Sequence, residues 1–507
     1  MMSVSTFSVY DMIKRNGVLF PNNTAVVEGG KSLTFSEFLI QVNSVAATLS
    51  NYGVTSGQSV AVLSMNRVEY LLLYGAASAI GAVLVPLNWR LSNDEISYIL
   101  KDSEAKILFF DSSQSEKAHA LTLPAENGTS NFTGVMVNFD QTPIGKPSDS
   151  SISNFTPFFH QPNDLFTLIY TAAVAGKPRG AALSHNNIIA SNLQTCLTMN
   201  IGQKETYLNM LPLFHITGMN LSLAVMQMGG KNVIIEKFNA KEALARIERE
   251  KVTIMASFPP ILANLMEEQD KAHYDISSLK NTVGIDAPDT IRKFTEKTSS
   301  RFWILYGQSE TSGFVTLSDA LDCLGSAGRQ CGISNMAIVD ENDNILPCSQ
   351  SGEIAVRGPL VFQGFWKRGS DDYDTSTIRN GWHHTGDVGH VDDNGYLWFE
   401  GRKPEKELIK PGGENVYPAE VESVILEHSD IEQTSVIGVP DPKFGEGVKA
   451  VCVKKAGSNL TAKELIEFVG SRIARYKKPG YVEFVDTLPK NSDGSIDRKK
   501  VKELYGK

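Results

Sequence analysis

The sequence predicts an α/β protein built as a large layered α/β region, then a β-rich subdomain, then a small C-terminal α+β unit. Three observations carry this. Short β-branched or aromatic runs alternate with helix-length stretches through roughly the first 330 residues, which implies parallel α/β layers. After residue 330 the texture changes to antiparallel-looking strands with glycine turns, in "GEIAVRGPLVFQGFW" and "GYLWFEGR". From about residue 411 the chain restarts as a compact α+β unit. At 507 residues the chain is too long for one hydrophobic core, so two or more domains follow from length alone.

Thr34-x-x-Glu37 is a capping box that opens a helix. "YLLLYGAASAIGAVLVPL", Tyr70 to Leu87, is long enough for a membrane span. Its small residues and Gly81 instead divide it into a buried helix and a β-branched strand. Strands are predicted at "SVAVLSM" (59–65), "KILFFD" (106–111), "LFTLIYT" (165–171), "NVIIEKF" (232–238), "VTIMAS" (252–257) and "RFWILYG" (301–307). Asn127 to Asn163, rich in Ser, Asn, Pro and Gly, is predicted to be a surface excursion. Glu242 to Lys251 has helix length, and Thr461-x-x-Glu464 is a second capping box. No internal repeat is visible.

Composition narrows the function classes. With 42% hydrophobic and 21% charged residues the chain has ordinary soluble-protein composition. A net charge of −9 argues against a surface that coats nucleic acid, while leaving room for a local anion pocket. No basic-then-apolar leader opens the sequence, so the expected location is cytoplasmic, with no integral membrane segment. The N-x-T matches at Asn127 and Asn131 are then chance. Five scattered cysteines without a CxxC pair agree with free thiols in a reducing compartment. Two tempting motifs fail. "GEGVKA" (445–450) precedes an apolar run, where a dinucleotide fingerprint must follow one. "AGKPRG" has Pro178 where a Walker loop needs Ser or Thr. His383 and His384 have no further ligand at useful spacing and read as ordinary loop histidines.

Four ordered segments carry a more specific message: "IYTAAVAGKPRGAALSHNN" (169–187), "YGQSE" (306–310), "GWHHTGD" (381–387) and "GRKPEKELIKPGGENVYPAEVE" (401–422). "PLNWRLSNDEISYIL" (86–100), "LPLFHITGM" (211–219) and "YKKP" (476–479) agree with them. In this order and spacing, from about residue 10 to 500, the chain resembles the adenylate-forming superfamily, which includes acyl-CoA synthetases and peptide-synthetase adenylation domains. The resemblance implies an AMP-binding domain over 1–401, a hinge at 402–410 and a mobile C-terminal domain over 411–507. It also implies ATP, a carboxylic acid and coenzyme A as small-molecule partners, with Mg²⁺. A carboxylate attacks the α-phosphate, pyrophosphate leaves, and a thiol cleaves the acyl-adenylate.

Residue roles follow from the same resemblance. Thr171, Gly176, Lys177, Arg179 and Gly180 would wrap phosphate. Asp286, Ala287 and Pro288 would line the adenine, on which Tyr306 stacks beside Gly307, Gln308 and Ser309. Glu310 would hold Mg²⁺. Asp387 would accept hydrogen bonds from the ribose hydroxyls, and Arg402 would reach ribose or phosphate. Lys410, Gly412 and Gly413 would serve the thioester step after the domain swings, with the pivot near Lys406–Glu407. Phe214, His215 and Met219, with Asn220 and the stretch around Phe258–Pro259–Pro260, would form the acyl-pocket wall. A core role for His215 stays open.

The chain departs from the family twice. The phosphate loop has lost its hydroxyls over residues 172–175, and Ser495 stands where the family places its adenylation lysine. A neutral hydroxyl cannot supply that charge at the developing transition state. The reading is an AMP-forming acyl-CoA synthetase for a fatty or aromatic acid, with an atypical, impaired adenylation step. Two alternatives stay open: a non-catalytic adenylate- or acyl-CoA-binding homologue, and acyl transfer to a carrier protein.

Overall fold

Apolar runs bounded by polar turns supply the inner strands of two sheets, and the stretches between them supply the covering helices. The computed structural model describes residues 6–122, 132–145, 156–171, 177–370, 372–402, 408–491 and 496–506. The first sheet has eight strands, in the order Gly313–Asp319, Arg301–Gln308, Asn281–Gly284, Ile254–Ser257, Thr206–Asn209, Lys231–Ile234, Thr24–Glu28 and Lys31–Thr34. Its inner neighbours are parallel, and both edge strands run antiparallel. The second sheet has six strands, in the order Val135–Asn138, Ile107–Phe110, Ser59–Leu63, Val83–Pro86, Leu165–Thr171 and Arg179–Ser184. Only its last strand is antiparallel. Strands buried on both faces need near-continuous apolar runs, as all of Ser59–Leu63 and Ile107–Phe110 show.

The helices obey their sequence signals. Thr34 and Glu37 form the reciprocal capping box, as do Thr461 and Glu464. Helix Val68–Ile80 is buried along almost its whole length and ends at Gly81, whose φ of +74° a side chain would disfavour. No helix among the described residues is long and apolar enough to cross a membrane. Helix Ala240–Glu250 buries Ala243, Leu244 and Ile247, one stripe of an amphipathic surface helix.

The β-rich subdomain is an antiparallel sheet of Asn335–Val339, Gly352–Arg357, Trp382–Val391 and Ile378–Arg379, with Leu397–Arg402 also paired to Trp382–Val391. The C-terminal unit has a three-stranded sheet, Ile431–Asp441, Gly445–Lys454 and Tyr481–Phe484. It buries its own apolar clusters around Val436 and Val451.

Two expectations change. The excursion from Asn127 to Asn163 contains Val135–Asn138, which adds a parallel edge strand beside Ile107–Phe110. Its turn-rich flanks hid a four-residue strand that is stabilised by its neighbour. His383 and His384 do not lie in a loop: both are buried on strand Trp382–Val391, where His384 Nδ1 is 3.1 Å from Glu353 Oε2.

Candidate active site

The site forms where strand ends from the α/β region, the β-rich subdomain and the C-terminal unit meet. Asp387 lies mid-strand and is 1% exposed. Its Oδ2 accepts from Tyr306 Oη at 2.8 Å and Gln308 Nε2 at 2.7 Å, and its Oδ1 accepts from Arg402 Nε at 2.5 Å. The β-ladder makes this possible, because Asp387 and Arg402 are direct cross-strand partners. Burial opposes charge on Arg402, but Asp387 outweighs it and holds the guanidinium above its usual value. Burial, then the Asp387 carboxylate, pushes the Tyr306 hydroxyl well up. This end of the site is a preorganised carboxylate–guanidinium pair that also holds the Tyr306 hydroxyl.

Lys410 approaches the same pair from the C-terminal side. It stands in a cleft that solvent enters. Crowding by protein, then repulsion from Arg402, pushes its ammonium down to about 8. Gly412 has φ +59° and donates its amide to Phe444 O at 3.0 Å. Gly307 admits no side chain, since a Cβ there would lie 1.8 Å from Gly313 O. Glu310 sits half-buried in the short turn Ser309–Thr311 beside these strand ends. Burial, and then the Glu310 carboxylate nearby, pushes the Tyr417 hydroxyl of the C-terminal unit up.

At the other end, His215 caps helix Ile216–Gln227 and Phe214 packs against it, ring centroids 4.5 Å apart. His215 Nε2 is 3.3 Å from Glu414 Oε1, and Asn88 Nδ2 donates to Glu414 Oε2 at 3.3 Å. Arg90 ion-pairs with Glu414 and covers the Trp89 ring at 4.6 Å. Burial pushes the Glu414 carboxyl up, yet His215 and then Arg90 bring it to about 2. A cavity of about 60 Å³ opens here, lined by Thr171, Phe214, His215, Ser309, Glu414 and Tyr476 among others.

The other expected residues have partners of their own. Arg179 does not stand free to meet phosphate: it is ion-paired with Asp374 and stacked 3.6 Å over Phe365. Lys177 Nζ lies 5.6 Å from the centroid of Tyr98. Met219 is fully buried in the core and is not part of the cavity wall. Gly180 closes on the Tyr170 ring, 3.0 Å from where a Cβ would sit. Asp286, Ala287 and Pro288 form the entry to helix Pro288–Thr298, where Asp286 Oδ1 accepts from Ala287 N at 2.8 Å. Burial pushes the Asp286 carboxyl up. Gly176 with the rest of the hydroxyl-free loop at 172–175, the pivot at Lys406–Glu407, and Ser495 lie outside the described residues. The sequence singled out neither Arg90, Asn88, Glu414 nor Tyr417. All four lie within segments it had flagged, but only the docked C-terminal unit reveals their shared task.

A buried aspartate, a glutamate at the adjoining turn and a glycine loop carried in by a separate small unit come together here. Residues 13–366 match the family model of the AMP-binding enzyme, and residues 420–495 match the AMP-binding enzyme C-terminal domain. The chain belongs to this family, the adenylate-forming superfamily. It is 31% identical to an indoleacetate–CoA ligase of Aromatoleum aromaticum, with 98% of each chain covered. It is also 31% identical to a feruloyl-CoA synthase of an Amycolatopsis species, covering 97% of this chain and 98% of the relative. Among solved structures, it superimposes on a double mutant of o-succinylbenzoate CoA synthetase from Bacillus subtilis bound with the product analogue OSB-NCoA. That match has 26% identity and a TM-score of 0.84, covering 97% of this chain and 98% of the other. The enzyme from the same organism in complex with ATP and magnesium ion gives 27% identity and a TM-score of 0.70, covering 97% and 99%.

Proposed function

We propose that the protein is an AMP-forming acyl-CoA synthetase for an aromatic carboxylic acid, and that the structure corresponds to its thioester-forming pose. One observation carries this reading: the loop holding Lys410, Gly412 and Glu414 is seated on the site, with Lys410 facing the Asp387–Arg402 pair and Glu414 meeting His215. The higher TM-score against the product-analogue complex than against the ATP complex supports it, since both cover the same share of this chain. Residues 411–507, about a fifth of the sequence, are enough to account for such a difference when placed differently. In this reading residues 1–401 form the AMP-binding domain, 402–410 the hinge and 411–507 the mobile domain, as the separate cores suggest.

The roles in this reading are as follows. Asp387 binds the ribose hydroxyls by exchanging the Tyr306 and Gln308 donors for them. Tyr306 and the stretch Asp286–Pro288 border the base, and Gly307 lets the backbone approach closely. Thr171, Lys177 and Gly180 border the phosphates, with Gly176. Glu310 would hold Mg²⁺, a hard cation that takes carboxylate oxygens, which would neutralise phosphate charge when bound. Arg402 and Lys410 steady the adenylate, and Gly412 and Gly413 give the thiol arm passage. Phe214 and His215 border the acyl group. The aromatic walls at Phe214 and Tyr476, together with the CoA-ligase relatives, favour an aromatic acid. Net charge −9 and the absence of a spanning helix among the described residues favour a cytoplasmic enzyme without a nucleic-acid partner.

The test is pyrophosphate and AMP release with ATP, CoA and an acid panel of indoleacetate, ferulate, 2-succinylbenzoate and medium-chain fatty acids. An aromatic acid should give CoA-dependent AMP. Binding of AMP without pyrophosphate release from any acid would overturn the reading.

A further inference from the structure

Among the largest fully buried side chains of the described residues, Lys477 is the only charged one. Its ammonium is ion-paired with Glu95 and lies 2.6 Å from Glu420 Oε1. Glu95 belongs to the α/β region, on helix Asn93–Asp102, and Glu420 to the C-terminal unit, on helix Pro418–Leu426. The three groups therefore join two domains. Glu95 Oε2 already caps its own helix, accepting from Ser92 N at 2.7 Å and Ser92 Oγ at 2.8 Å. Glu420 Oε2 is buried and accepts no hydrogen bond. Apolar groups crowd the trio, with Ala474 packed into the cluster of Leu91, Ile96 and Ile99, while Lys477 also borders the cavity at Phe214 and Tyr476.

Two carboxylates face one ammonium, so a fully ionised trio would bury one uncompensated negative charge, which is costly in this setting. Lys117, on helix Ser115–Ala120, faces Glu95, but its ammonium donates to Trp89 O and Leu91 O, each at 2.6 Å. Tyr476 also borders the trio, while Arg90 and Glu414 compensate each other nearby. Burial pushes the Glu420 carboxyl up, Lys477 pulls against that, and Glu95 adds to it. Burial pushes Glu95 the same way, but Lys477 and the helix cap outweigh it and leave Glu95 low.

We propose that Glu95, Lys477 and Glu420 form an interdomain latch that closes around one proton held between its two carboxyl groups, so that the present pose is favoured as the solution becomes more acid. The proposal rests on the reading that the C-terminal domain alternates between two poses. On opening, Glu95 parts from Glu420 and both carboxylates ionise in water. The closed form binds the extra proton, because its carboxyl value lies above the ordinary one. Closure is thus strongest below that raised value and is lost as pH rises through it. Lys410, whose ammonium crowding pushes down to about 8, faces the same interface. His215 faces the same interface through Glu414.

The test is fluorescence energy transfer in the full-length, ligand-free protein. One dye sits on exposed Cys348 and the other on a cysteine placed by Lys463→Cys, a side chain 85% exposed, in a Cys323→Ser background. Between about pH 5 and pH 7.5 the wild-type closed-to-open ratio should fall, by at most about tenfold per pH unit for one proton. Glu420→Gln, which mimics the protonated carboxyl and retains His215, should stay closed with much of that dependence gone. Glu95→Gln keeps the helix cap and should flatten the profile as well, which preserves the test if the first variant fails to fold. Lys477→Met should open the domain at both ends of the range. The same slope in wild type and both Gln variants overturns the latch, as does a domain arrangement that never moves. No acid, ATP or CoA is present, so failure here leaves the ligase reading standing.

Discussion

Asp387 illustrates how a residue's partners define its use. Three side-chain donors already engage it, so in the proposed reading a nucleotide ribose competes with donors of similar strength. Asp387→Ala should weaken AMP binding by at least about tenfold, because charge-assisted hydrogen bonds are lost. Calorimetry on a sample shown to be folded by circular dichroism checks this; unchanged affinity removes the assignment. Arg179 shows the reverse case. It is the natural cation of the phosphate loop in sequence, but Asp374, 195 residues away, neutralises it. That leaves the substitution at Ser495 more exposed in consequence. Ser495→Lys should accelerate single-turnover adenylate formation by about tenfold or more, since one positioned cation stabilises such a transition state by a few kcal/mol. An unchanged rate would mean that another cation serves the α-phosphate.

Elements hold these residues in place with little slack. Strands Arg301–Gln308 and Gly313–Asp319 run antiparallel, and Gly307 meets the Gly313 carbonyl across them. Gly307→Ala should cost about 1–3 kcal/mol or more, because neither backbone can retreat without breaking the ladder. Thermal unfolding measures it, and a variant as stable as wild type would show that the strands can separate locally. A second element-scale effect comes from His160 and His185, buried with ring centroids 4.1 Å apart where helix Val9–Leu19 meets strand Leu165–Thr171. Burial lowers both, and His160 lowers His185 further. The folded state therefore keeps them neutral, while the unfolded chain takes up protons near 6.5. Stability is fully present above that value and declines as pH falls below it, by at most about 1.4 kcal/mol per proton per pH unit. Urea midpoints at pH 7.5 and 5.5 should show the loss, and His185→Phe should reduce it. An equal loss in the variant would assign the effect to other groups.

At the scale of the molecule, the docked C-terminal unit converts two half-sites into one. Lys410 reaches the Asp387–Arg402 pair only because that unit is seated. Lys410→Ala should slow thioester formation from preformed acyl-adenylate and CoA, while adenylate formation from acid and ATP changes less. Rapid-quench measurement of the two half-reactions separates them. Equal slowing of both would place Lys410 in the nucleotide site of either pose.

Much of this was legible in local pattern. Capping boxes at Thr34–Glu37 and Thr461–Glu464, the helix–strand break at Gly81 and the apolar runs of the inner strands all depend on neighbours within a few residues, which periodicity and turn chemistry encode directly. Asp387 and Arg402 were singled out through the family resemblance, and the strand ladder makes them cross-strand partners. Arg90 with Glu414, and Lys477 with Glu95, were not. Those partners lie 324 and 382 residues apart, and their pairing depends on how two separately folded cores dock. Short-range order follows from the chemistry of each stretch. The closed site follows from burial of charge between domains, a quantity that exists only after the chain has folded and the domains have met.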